Sequence, residues 1–135
     1  MTTQVQTLPR LHPRAVYWLD AAVSFAMGVA VAAMAGPLTA LAGWPMPTTF
    51  LLLVGLILIP WSAYNLWTAR AASVGGAAFA VHLVVDVGWV VGSVALLLAY
   101  ADTITPLGFA LIAAQAVAVA GVGVIKLIGA RALLA

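Results

Sequence analysis

The 135-residue chain contains no cysteine, which excludes disulfides, thiolate metal sites, iron–sulfur clusters and cysteine nucleophiles together. Charge is almost as scarce: 6% of the residues are Asp, Glu, Lys or Arg, where soluble domains carry about 25%. A water-facing surface cannot be covered with so few. Three acidic side chains (Asp20, Asp86, Asp102) and two histidines (His12, His82) leave hydrolytic chemistry little to work with. No nucleophile elbow, P-loop, H-E-x-x-H site or haem-attachment pattern occurs. The chain therefore reads as non-enzymatic, without cofactor or metal. Five basic residues are also too few for a nucleic-acid footprint.

What the chain has in abundance is apolar length. It is 66% hydrophobic, with a mean hydropathy of +1.21. A polar tail with two prolines over 1–13 precedes a single membrane domain, 14–135. Four apolar runs follow, at about 15–35, 48–68, 75–100 and 106–128. Each has the roughly 20 residues that cross a ~30 Å hydrocarbon core as a helix, and none shows the polarity alternation of a barrel strand. The first run is longer than a signal-peptide core and holds Asp20, so it reads as a retained helix. Gly36-Pro37 closes it, and PLTALAGWPMP reads as an interfacial connection. Ser73 and Thr105 are candidate caps, Pro106 suits a first helical position, and Gly129 suits a C-cap. Pro60 falls inside the second run and frees a carbonyl about one turn earlier.

The expected fold is an all-α transmembrane four-helix bundle, up-down-up-down. Arg10, Arg14, Arg70, Lys126 and Arg131 all fall on one side of it, and the other side has no Lys or Arg. The positive-inside rule then puts both termini in the cytoplasm of a multi-pass protein of the cell inner membrane. Lys126, near the expected end of the last helix, is read as snorkelling to the headgroups.

Residues 81–93, VHLVVDVGWVVGS, place ionisable groups in the middle of a span. On a helix, Phe79, His82, Asp86, Trp89, Ser93 and Tyr100 share one face, and Val84, Val87, Val91, Ala95 and Leu98 the opposite one. Polar side chains in a span face protein or a water-filled cavity, so the first stripe points inward. Candidate partners are Asp20 and Ser24 in the first helix, Asn65 and Tyr64 in the second, and Gln115 in the fourth. Ser24-x-x-x-Gly28 adds a small-residue pattern for close helix approach. At 1.5 Å per residue, Asp86 lies roughly 16 Å and Gln115 roughly 13 Å along their helices, both near the midplane. The polar groups are thus expected in one layer, with Asp20 facing water or Arg70.

An aspartate near a helix centre costs about 2.5–3.5 kcal/mol on insertion scales. Two readings of the Asp86–His82 pair stay open, a proton relay or ligand pair and a packing network that fixes the helices. Trp89, Phe79 and Trp61 are candidate pocket walls beside His82 for a lipid, quinone or haem. The expected partners are the lipid bilayer and either further copies of the chain or a larger membrane complex.

The segments LDAAVSFAMG, AGPLTALAGWP and DVGWVVGS together resemble small bacterial four-helix integral membrane proteins of unassigned function. That resemblance implies a fold and no activity. In size and span count the chain is also similar to small multidrug transporters, which use a carboxylate in their first helix. Asp20 is the only carboxylate of the first helix here, and the rest of that family's pattern is absent.

Overall fold

A computed structural model describes residues 12–134, all helix and connection without a strand among them. Residues 1–11, most of the polar tail, lie outside the described residues. Five helices follow in order: α1 (Ala15–Ala33), α2 (Ala35–Leu41), α3 (Thr48–Arg70), α4 (Gly76–Ala99) and α5 (Pro106–Leu134). All but α2 are long and apolar enough to cross a membrane. With 19 to 29 residues, they run from about 28 Å to about 43 Å.

Paired positions give the directions. Ser62 Oγ of α3 donates to the Ala21 carbonyl of α1 at 2.6 Å, and further along Gly28 meets Gly55, so α1 and α3 are antiparallel. Lys126 meets Asp20 and Gly129 meets Pro13, so α5 runs against α1. Gln115 bonds to Ser93 and Lys126 to Asp86, so α5 also runs against α4, which leaves α4 parallel to α1 and antiparallel to α3. The bundle is up-down-up-down.

Several boundaries differ from those read in the sequence. Helix α1 closes at Met34, and the stretch read as a connection contains α2, with Gly36 and Pro37 inside it. Proline is tolerated there because it falls within the first turn, where its missing N–H has no partner to lose. Ser73 does not cap α4: the N-cap is Gly75, without a side-chain bond. Thr105 does cap α5, its Oγ1 accepting from Gly108 N at 3.1 Å and donating to the Leu41 carbonyl at 2.8 Å. Gly129 does not end α5, which continues to Leu134. Buried Leu133 anchors that extra length, and its carbonyl accepts from Val74 N.

Helices α1 and α3 approach closely because two glycines face each other. A Cβ on Gly55 would stand 2.5 Å from Ala32 N and 2.7 Å from the Gly28 carbonyl, and one on Gly28 2.8 Å from the Gly55 carbonyl. Only hydrogen fits. Gly75, Gly76 and Gly121 have nothing within 4 Å of such a position, so they do not serve as packing contacts inside this chain. At one end of the bundle, Val16, Tyr17, Ala69, Val74, Phe79 and Leu133 form an apolar cluster. The positions opposite the α4 stripe (Val84, Val87, Val91, Ala95, Leu98) are all exposed on the outer surface, where acyl chains would lie.

Candidate functional site

The centre of the site is Lys126, the residue read from the sequence as snorkelling. That reading is wrong. Its side chain is 1% exposed and its ammonium lies between two carboxylates, 2.6 Å from Asp20 Oδ2 and 3.0 Å from Asp86 Oδ2. Because α5 runs on to Leu134, Lys126 stands eight residues from the helix end, about 12 Å inside. Charged side chains inside a span pair with one another, and Lys126 does so with both carboxylates.

Asp20 is not a partner of Arg70, and its carboxylate, 12% exposed, turns into the bundle. One oxygen takes Lys126 and the other accepts from Ser24 Oγ, one helical turn on, at 2.9 Å. Arg70 instead lies over the Trp18 ring, 5.4 Å from its centroid. Asp20 sits in the second turn of α1, His82 and Asp86 in α4, and Lys126 in α5, so the centre ties three helices.

An ammonium has three N–H donors. Asp20 and Asp86 take two, and His82 Nδ1 faces the third at 3.5 Å. That geometry assigns the imidazole tautomer. Thr68 Oγ1 gives its single proton to the Tyr64 carbonyl at 3.1 Å, so at 2.8 Å from His82 Nε2 it acts as acceptor. Nε2 therefore carries the hydrogen, and Nδ1 presents its lone pair to the ammonium. A hydrogen on Nδ1 would point at a positive charge. Both ring nitrogens face polar groups of the same chain and His82 is wholly buried.

Aromatic rings enclose this centre. Tyr17, Trp61 and Tyr64 pack on the His82 ring with centroids 4.9, 5.2 and 4.8 Å away. The ammonium also lies 5.3 Å from the Trp61 centroid and 5.5 Å from that of Tyr17, within cation–π range. Tyr64 Oη donates to the Ala78 carbonyl at 2.8 Å, fixing α3 to α4. Asn65, fully buried, donates to the Trp61 carbonyl at 3.1 Å. Its Oδ1 and the Tyr17 hydroxyl are buried without a hydrogen-bond partner among the described residues.

The remaining sequence candidates lie elsewhere. Gln115 does not face Asp86. Its Oε1 accepts from Trp89 Nε1, and its Nε2 donates to Ser93 Oγ at 2.9 Å and to the Ile112 carbonyl at 3.0 Å. This second cluster joins only α4 and α5, so the polar groups form two layers instead of one. Trp61 flanks His82, whereas Phe79 belongs to the apolar cluster and Trp89 to the Gln115 layer. The three wall candidates do not line one pocket.

Sequence reasoning missed Lys126 as the hub. The signal that finds it is spacing: Val119, Val122 and Lys126 continue the Gln115 face by steps of three and four, so the lysine points where Gln115 points. Among the described residues, no group of three or more His, Cys, Asp or Glu is placed to hold a metal. No protein-family model matches the chain, nor does any curated protein or solved structure.

Proposed function

We propose that this protein is a non-catalytic membrane bundle that works through its outer surface, as a self-associating unit or an accessory subunit of a larger complex in the inner membrane. The observation that carries this reading is the closure of the ionic centre. Lys126 donates to Asp20 and Asp86 and faces His82, all of the same chain, so the ionic centre is occupied in holding helices together. What remains for partners is lipid-facing helix surface. On α4 it includes Gly88 and Gly92, one turn apart, exposed and with nothing within 4 Å of an added Cβ; such spacing lets a second helix approach closely. Arg14, Arg70 and Arg131 mark one end of the bundle, and the positive-inside rule gives that end to the cytoplasm, with both termini.

Purification in mild detergent followed by light-scattering mass determination tests it. A dimer or larger particle, or a reproducible co-purifying subunit, is expected. A strictly monomeric particle without any partner overturns it.

A second reading has one specific observation in its favour. Two carboxylates meet one ammonium in the bundle interior, and charged groups inside a membrane commonly serve proton relays. Under this reading the protein is a small proton-coupled transporter, with Asp86 and His82 at its core and Asp20 as the access residue. An Asp86→Asn variant reconstituted in vesicles with a pH-reporting dye decides it: proton movement equal to that of the parent removes the transporter.

A further inference from the structure

The ionic centre is closed in its contacts but not in its charge. Asp20 and Asp86 bring two negative charges and Lys126 one positive, while the tautomer assigned to His82 leaves that ring neutral. The other titratable neighbours, Tyr17 of α1 and Tyr64 of α3, pack on His82 as uncharged phenols. Among the described residues the remaining cations are placed elsewhere. Arg14 donates to the carbonyls of Thr68, Ala69, Ala71 and Ala72 at the end of α3. Arg70 lies over the Trp18 ring, and Arg131 is exposed. One negative charge is therefore in excess, on groups shut inside the bundle: Asp86 is 5% exposed and Lys126 1%. Uncompensated charge is costly at that depth, so the centre has a place for one more positive charge.

Geometry selects the atom that takes it. Both oxygens of Asp20 are engaged, one by Lys126 and one by Ser24 Oγ. Asp86 uses only Oδ2, which accepts from Lys126 at 3.0 Å; its Oδ1 accepts no hydrogen bond among the described residues. Each donor that a carboxylate accepts stabilises its ionised form, so Asp86 is the less firmly held anion. A second proton on His82 would also balance the sum. It would have to sit on Nδ1, 3.5 Å from the Lys126 ammonium, with its N–H aimed at a positive charge. The imidazole is thus the wrong base, although it lies one turn from the aspartate.

We propose that the centre binds one exchangeable proton per chain, on Oδ1 of Asp86, with Asp20 as the constant counter-ion of Lys126. Binding forms one O–H bond with a proton taken from water and breaks no bond of the protein. The site is independent of self-association. It rests on the transporter reading only in naming the atom that would carry its proton, and moves that role away from His82. A protein that binds this proton and moves none across vesicles would lose the transporter and keep the site.

Carbon-13 NMR of the aspartate-labelled full chain in an Asp102→Asn background tests it, because only Asp20 and Asp86 then report. The two carboxyls are told apart through their neighbours Leu19 and Val85. On going from mildly alkaline to mildly acidic buffer, Asp86 should pass from carboxylate to acid by one proton, and Asp20 should stay ionised. Nitrogen-15 labelling should show His82 Nδ1 unprotonated over the same span, and replacing sodium by choline should change nothing. Asp20→Asn removes the excess charge and should abolish the event, whereas Asp20→Glu preserves the charge and should keep it. If the asparagine variant fails to fold, as judged by helicity, the titration of the Asp102→Asn protein and of Asp20→Glu decides. An Asp86 signal that does not move overturns the site, as does proton uptake by Asp20 or by His82 Nδ1. An unchanged event in folded Asp20→Asn overturns it too, and so does an event governed by sodium, which would give the place to a metal cation.

Discussion

Lys126 of α5 and Asp20 of α1 are 106 positions apart in the sequence and meet at 2.6 Å inside the bundle. That contact joins the first long helix to the last, across a distance no local pattern specifies. With Asp86 at 3.0 Å on the other side of the ammonium, it makes the packing of three helices depend on one lysine.

Removing that lysine should be far worse than removing the whole centre. Lys126→Met leaves two buried carboxylates facing each other without a cation, and deleting one member of a buried pair costs about 3–5 kcal/mol. The triple change Lys126→Met, Asp20→Asn, Asp86→Asn leaves no charge to compensate and should regain most of that loss. Denaturant-dependent helicity in detergent measures both. A Lys126→Met protein as stable as the parent would show that the ammonium does not hold the bundle.

The α4 stripe is legible in the sequence, because His82, Asp86 and Ser93 recur at helical spacing against an uninterrupted aliphatic background, and all three are buried. The four apolar runs are legible for the same reason, since length and composition alone identify them. Lys126 is not, because its depth depends on where α5 ends. Gly129 looks like a stop, yet the helix continues to Leu134, held by a tertiary contact between Leu133 and Val74 that residue preferences do not encode. Asp20 is obscured similarly: its place near the start of α1 suggests water, and only the antiparallel return of α5 brings the ammonium to it. The split between the Asp86 and Gln115 layers is a matter of axial register, which periodicity leaves undetermined.

The assigned tautomer of His82 has its own consequence. With hydrogen on Nε2 donating to Thr68 Oγ1 at 2.8 Å, nitrogen-15 NMR of the labelled imidazole should show a protonated Nε2 and an unprotonated Nδ1. Thr68→Val removes the acceptor, leaves a buried N–H without a partner and should destabilise by about 1–3 kcal/mol. Observing the hydrogen on Nδ1 would break the hydrogen-bond order proposed for the centre, because that hydrogen would face Lys126.

Glycine positions should respond unequally to one added methyl. At Gly55 the new carbon would stand 2.5 Å from backbone nitrogen of Ala32, which cannot rotate away, so α1 and α3 must separate. Overpacking of this kind costs about 1–3 kcal/mol. At Gly121 nothing lies within 4 Å, and exchange to alanine in a helix interior relieves the glycine backbone penalty. Gly55→Ala should therefore lower the thermal midpoint, and Gly121→Ala should leave it unchanged or raise it. Equal midpoints for the two variants would contradict the close α1–α3 contact.

The two polar layers should behave as separate units. Gln115 bonds to Trp89 and Ser93, and none of these groups bonds to Asp20, His82, Asp86 or Lys126. Gln115→Leu removes the acceptor of the half-buried Trp89 N–H, a loss of about 1 kcal/mol. Asp86→Asn weakens the other layer through Lys126. Without a shared partner the two losses should add to within about 0.5 kcal/mol in the double variant. Trp89 lies less than one turn from Asp86 on the same helix, so the test is a demanding one. A coupling well above that margin would mean that the layers act as one network, and the relay reading would then have a continuous polar path from Asp20 to Gln115.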